Sequence, residues 1–228
     1  MILSHRHRFI FLKTNKTAGT SVEIALSAIC GEDDIITPIS PADEALRARL
    51  GYRGAQNYQH SRRGGLLSAL GARKPWGKPA FYNHMPAQEL RQKVAPDVWQ
   101  SYFKFCIERN PWDRVVSMYY WRGSKSPQPE LAQFLRSAEV PKLKRKGWGV
   151  YTIDGKVVAD HVCRFEQLDI ELDAISRRQI LPTLPELPKA KSALRPEKQH
   201  YRQLLGPGER ALVAERFADE IALLGYRF

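Results

Sequence analysis

The feature that most constrains the fold is a pattern that occurs twice: a short apolar run, a polar loop, then apolar residues at helical spacing. Phe9 to Leu12 (FIFL) runs into Lys13-Thr-Asn-Lys-Thr-Ala-Gly-Thr20, and from Ser21 onward Val22, Ala25, Leu26 and Ile29 recur on one helical face. Phe103 to Ile107 (FKFCI) runs into Glu108-Arg109-Asn110, after which Pro111 stands where a first helical residue can do without its N–H. Both stretches read strand, loop, helix, with helices expected over 21–29 and 111–121. Ala80 to Asn83 (AFYN) and His161 to Phe165 (HVCRF) read as two further strands. Strands alternating with helices imply a parallel sheet and an α/β fold. Near the C-terminus Val213, Phe217, Ile221 and Leu224 share one face after Gly206-Pro-Gly208, which places a last helix on the sheet.

At 228 residues, 43% hydrophobic and 26% charged, the chain suits a single domain over 1–228 with a real core. Gly54 to Lys78, with five glycines, and Leu181 to Pro196, with four prolines, read as flexible loops. Lys142 to Trp148 (KLKRKGW) reads as a solvated surface turn. Lysines and arginines number 36 against 24 acids, a net charge of +12 that favours an anionic partner: nucleic acid, acidic glycan, phosphorylated cofactor or acidic membrane. Cys30, Cys106 and Cys163 are odd in number and scattered, so a disulfide framework is not expected and a reducing, cytoplasmic location is. The apolar segment near the N-terminus, broken by His5, Arg6, His7 and Arg8, is too short for a membrane span or a signal peptide.

The first loop has the composition of an anion site. In open α/β sheets ligands bind beyond the carboxyl ends of the strands, where N–H groups of the following helix favour negative charge. Gly19 permits close backbone approach, Thr17, Thr20 and Ser21 offer hydroxyls, and Lys16 adds a cation. The loop is not a Walker A sequence, because Lys16 precedes Gly19 instead of following the second glycine. The second strand also ends in Glu108-Arg109, a cation where an NTPase places the aspartate of its magnesium site.

KTAGTS (Lys16 to Ser21) with RNPWDRVVSMYY (Arg109 to Tyr120) resembles the paired 5′-phosphosulfate and 3′-phosphate loops of the PAPS-dependent sulfotransferases. Within that family the likeness is to the carbohydrate 2-O- and chondroitin-type group and its bacterial relatives. HMPA at His84, RFEQL at Arg164 to Leu168 and the closing FADEIALLGYRF extend it over most of the chain. The resemblance implies a three-layer parallel sheet flanked by helices, in the P-loop NTPase-like manner of these enzymes. It also implies PAPS as donor, 3′,5′-ADP as product, no metal, and a hydroxyl-bearing acceptor. A carbohydrate acceptor comes first; a small alcohol, a phenol or a peptide tyrosine stands behind it. The family usually carries proline just before the loop lysine; Asn15 stands there in this chain, which bears on the loop's rigidity more than on its chemistry.

By the same resemblance Lys16 would stabilise the leaving 5′-phosphate, while Thr17, Ala18, Gly19, Thr20 and Ser21 hold it. Arg109 and Ser117 would bind the 3′-phosphate; the bland reading of Arg109 is a salt bridge to Glu108 or Asp113. Lys189, Lys191 and Ser192, in the proline-rich loop, match a place where the family often closes over the 3′-phosphate, though a solvated basic loop is an equal reading. His84 is the candidate general base, since its near-neutral pKa suits removing a hydroxyl proton. Arg164 and Glu166 read as an internal ion pair. His5, His7, His60, His161 and His200 lack metal-ligand spacing, so no zinc site is expected. Three other readings stay open: a nucleotide kinase or NTPase on the same fold, a nucleic-acid-binding module argued from charge alone, and a non-catalytic nucleotide-binding relative. Nothing in the sequence speaks to oligomeric state.

Overall fold

A computed structural model describes residues 1–59, 79–124, 127–178, 180–188 and 200–228. Its strands are β1 (Ile2–Ser4), β2 (Phe9–Leu12), β3 (Ile35–Ile36), β4 (Phe103–Glu108), β5 (Thr152–Ile153), β6 (Lys156–Val157) and β7 (His161–Arg164). The helices are α1 (Gly19–Ser27), α2 (Pro41–Arg49), α3 (Ala87–Lys93), α4 (Pro96–Ser101), α5 (Pro111–Gly123), α6 (Leu131–Arg136), α7 (Glu139–Arg145) and α8 (Trp148–Tyr151). They continue with α9 (Leu168–Arg177), α10 (Tyr201–Leu204), α11 (Pro207–Arg216) and α12 (Ala218–Leu224).

The main sheet has the order β3-β1-β2-β4-β7. β2, β4 and β7 are parallel, with Phe11 opposite Phe105 and Ile107 opposite Cys163, as the strand–loop–helix pattern requires. The sheet is nonetheless mixed, because β1 pairs antiparallel with both β2 and β3. Alternation along the strands sorts side chains to two faces. Phe9, Phe11, Phe105, Ile107 and Cys163 pack with Val22 and Leu26 of α1 and Leu172 and Ile175 of α9. Ile10, Leu12 and Cys106 pack with Leu90 of α3 and Val150 and Tyr151 of α8. Helices thus cover both faces, giving three layers. A third core joins α5 to α6, α7, α10 and α11 through Val115, Phe134, Leu143, Tyr201 and Val213.

Several expectations are corrected. Ala80–Asn83 is not a strand: the segment is irregular between Pro79 and Pro86, and Phe81 N–H bonds to the Tyr58 carbonyl at 2.9 Å outside any ladder. The last helix is two, α11 and α12, broken at Phe217, and α11 lies on α5 instead of on the sheet. The basic run at 142–148 is not a solvated turn but the end of α7 and start of α8, with Leu143 and Gly147 buried. Residues 54–59 and 181–188 are irregular, as expected; the rest of the two anticipated loops lies outside the described residues. Cys30, Cys106 and Cys163 are free and buried. Among the described residues no helix is long and apolar enough to cross a membrane.

Candidate functional site

β2 and β4 are adjacent and parallel, so their two following loops emerge side by side at the carboxyl end of the sheet. The first loop is wound unusually. Lys16 has φ 66° and Ala18 φ 58°, with Thr17 between them at negative φ. That alternation lets successive N–H groups converge on an anion, and left-handed backbone at residues bearing Cβ costs about 1–2 kcal/mol each. Strain of this kind persists where the surroundings over-determine it. α1 then begins at Gly19 with no side-chain cap and no acid in its first turn, so its positive end faces the loop uncompensated by its own sequence.

The loop is held from below. Thr14 donates to the Ile107 carbonyl on β4, and Thr17 Oγ1 lies 2.7 Å from Thr14 Oγ1. The Thr17 hydroxyl is therefore turned inward, and what Thr17 can give an anion is its backbone. Lys13, which sequence reasoning passed over, is buried and ion-paired with Glu23 of α1 at 2.6 Å. A Cβ on Gly19 would sit 2.9 Å from Lys13 Cγ and 3.3 Å from the Thr14 carbonyl oxygen. Because Lys13 is anchored, it cannot swing aside, and Gly19→Ala is expected to lower unfolding free energy by about 1–3 kcal/mol in urea titration. Wild-type stability in that variant would show that the loop has slack.

The second loop presents Arg109. Its Nε and Nη2 donate to Asp113 Oδ2 at 2.9 and 2.5 Å, its guanidinium lies 4.2 Å from the Phe165 ring centroid, and Nη1 reaches the Lys16 carbonyl at 3.4 Å. The bland salt bridge is thus real, and it orients the fork toward the first loop. Asp113, Ser117 and Trp121 follow at i, i+4 spacing on α5. Arg109 touches Lys16 at one end of this row, and Lys16 Nζ lies 5.5 Å from the Trp121 ring at the other, so half-buried Ser117 sits between them. Asn110 starts the helix by accepting from the Trp112 and Asp113 N–H groups.

His84 follows an irregular segment but still arrives here. At φ 60°, its Nδ1 lies 2.9 Å from the Lys13 carbonyl. A carbonyl only accepts, so Nδ1 carries the proton and Nε2 keeps the lone pair. Burial, with Lys13 and Lys146 adding positive field, lowers the imidazole pKa to about 3. The ring is neutral at physiological pH, and the near-neutral pKa expected from the sequence is corrected: burial holds the group well below it.

Arg164 and Glu166 do not pair with each other. Arg164 donates to the Leu224 carbonyl at 2.6 Å, while Glu166 accepts from the Asn110 N–H at 2.7 Å and the Tyr226 hydroxyl at 3.1 Å. Lys189, Lys191 and Ser192 lie outside the described residues. On the edge strand β7 and the following α9, His161, Cys163 and Glu171 each bring a ligand atom within 4.8 Å of the others, a convergence of strand and helix that linear spacing does not reveal. His161 Nε2 and Glu171 Oε2 in that group are already hydrogen-bonded at 2.8 Å.

Residues 1–147, which include both loops and His84, match the family model described as "Sulfotransferase family". An uncharacterized protein of Archaeoglobus fulgidus is 30% identical over 103 residues, covering 43% of this chain and 84% of that protein. No solved structure matches.

Proposed function

The chain belongs to the sulfotransferase family, and on that premise we propose that it transfers a sulfuryl group from PAPS to a hydroxyl of a carbohydrate acceptor. The observation that carries this reading is the meeting of the two strand-end loops, where Arg109 of the second reaches the Lys16 carbonyl of the first. A donor with phosphate groups at both the 5′ and 3′ positions needs two such cation sites held at a fixed span, and the strained first loop and the oriented Arg109 fork supply them. This is the P-loop-like element of the fold, put to a ligand that a Walker A loop does not read.

PAPS supplies the activated sulfuryl group; the remaining work is positioning and charge stabilisation by this chain. His84 Nε2 takes the proton of the acceptor hydroxyl as that oxygen bonds to sulfur. The bond from sulfur to the bridging oxygen breaks, its electron pair leaves with the 5′-phosphate, and Lys16 meets the new charge. Backbone from Thr17 to Ser21, with the Thr20 and Ser21 hydroxyls, holds the 5′ group; Arg109 and Ser117 hold the 3′-phosphate, and 3′,5′-ADP departs. Less negative charge on a sulfuryl than on a γ-phosphoryl group lets the set work without a metal. A kinase reading is less well served, since Glu108 at the end of β4 is buried and already bonded to the Arg109 N–H, Arg114 and Tyr151. One domain over 1–228 and a cytoplasmic setting complete the proposal.

Calorimetric titration of 3′,5′-ADP, 5′-AMP and ATP without magnesium tests it. The expected result is 3′,5′-ADP binding at least about tenfold tighter than 5′-AMP, because one more charge-assisted phosphate contact contributes about 1.5–3 kcal/mol. Equal affinities would show that the 3′-phosphate is not read, and the donor assignment would be withdrawn.

A further inference from the structure

Directly beneath the two loops lies a polar group that the reaction does not use. Glu108 and Arg114 are both fully buried and paired at 2.7 Å. The Glu108 carboxylate also accepts from the Arg109 N–H at 3.0 Å and the Tyr151 hydroxyl at 3.1 Å. Arg114 Nε donates to the Asn15 carbonyl at 2.9 Å, and its Nη2 donates to the Leu143 carbonyl at 3.0 Å. Asn15 in turn uses its N–H, which a proline would lack, to bond the Lys146 carbonyl at 2.8 Å. Gly147 closes the space: a Cβ there would lie 2.0 Å from Arg114 Nη2.

One ion pair therefore ends on both loops. Its acid grips the backbone of Arg109, and its base grips the backbone of Asn15, the residue before Lys16. A buried pair contributes little net stability, since desolvation offsets its attraction, whereas a fork with fixed donor directions transmits geometry well. We propose that Glu108 and Arg114 are positioning residues that fix the span between the two phosphate loops, and so set how strongly the protein prefers a ligand phosphorylated at both ends over one phosphorylated at the 5′ end alone. This rests on the donor reading above. Asn15 and Arg114 together supply by hydrogen bonding the stiffness that a ring would give at that position.

The ratio of dissociation constants for 5′-AMP and 3′,5′-ADP reads the span directly. Arg114→Lys keeps the charge and loses the fork; the expectation is 5′-AMP affinity within about twofold of wild type and a ratio reduced about tenfold or more. Should Arg114→Lys not fold, Glu108→Gln tests the same link. It keeps the shape of Glu108, and Glu220 offers a second buried carboxyl within the field of Arg114. Asn15→Pro, which spares the carbonyl that Arg114 grips, should keep the ratio. A parallel loss of both ligands in Arg114→Lys, or an unchanged ratio in a folded variant, would overturn the proposal, as would a collapsed ratio in Asn15→Pro. If the wild type itself shows no preference, the donor reading fails and this inference goes with it. A wild-type preference that survives in the variants removes the brace alone and leaves the donor reading standing.

Discussion

His84→Asn should leave 3′,5′-ADP affinity within about threefold of wild type and lower kcat by about 10²–10⁴, the range expected for loss of a general base. Asparagine is the informative substitution here. Its side-chain amide can replace Nδ1–H in the bond to the Lys13 carbonyl, and it tolerates the left-handed backbone that His84 adopts at φ 60°, which alanine tolerates less well. The tether is kept and only the Nε2 lone pair is removed. Turnover is followed as 3′,5′-ADP released from PAPS with a sugar acceptor; kcat within threefold of wild type would reduce His84 to a tether. The pH behaviour adds an independent check. With its pKa lowered to about 3 by burial and by Lys13 and Lys146, folded His84 stays unprotonated over a range where the unfolded chain takes up a proton. Stability therefore falls as pH drops from about 6.5 toward 3, and His84→Asn should flatten that slope. Bound 3′,5′-ADP offsets the two lysine fields, so the imidazole pKa, read by NMR of the ring, should rise on binding. A pKa that does not move would separate His84 from the phosphates.

What the sequence could show here was whatever is local. The apolar runs FIFL and FKFCI, each followed by a helix start, mark β2 with α1 and β4 with α5, because a strand buried on both faces leaves a continuous apolar run and a helix leaves apolar residues at helical spacing. HVCRF carried a weaker periodic signal than these two runs, and its first four residues form β7. Ile2–Ser4 was not legible: three residues cut off by His5, Arg6, His7 and Arg8 carry no period, and β1 exists because β2 and β3 offer edges to pair with. AFYN misled because aromatic residues favour strands only where a partner strand is present. Within the site, Lys16, Gly19, Arg109 and His84 were visible as residue types in suggestive places. Their supports were not, because Lys13 with Glu23 and Arg109 with Phe165 join chain segments that only the folded sheet brings together. Arg114 lay in the quoted motif itself and Glu108 directly before it. Their reach to Asn15, Leu143 and Tyr151 depends on α5, α7 and α8 meeting below the loops.

Arg109→Ala should weaken 3′,5′-ADP binding about 30- to 1000-fold, about 2–4 kcal/mol, while 5′-AMP binding stays within about threefold. The loss should exceed that of a single surface cation for two reasons. A guanidinium fork can contact two phosphate oxygens, and its removal also strips Asp113 of the two bonds from Nε and Nη2, leaving more carboxylate charge facing the incoming phosphate. The second contribution can be measured apart from the first. Asp113→Asn in the Arg109→Ala background should recover part of the affinity, whereas Asp113→Asn alone should lose some, since Arg109 is then less firmly aimed. That reversal of sign is the signature of coupling through one guanidinium. Arg109→Lys should behave almost as badly as alanine, because one ammonium cannot bond Asp113 and a phosphate in the same fixed plane. If instead 5′-AMP weakens in step with 3′,5′-ADP, Arg109 acts by holding the Lys16 carbonyl and the first loop, and the 3′-phosphate must be bound by other groups.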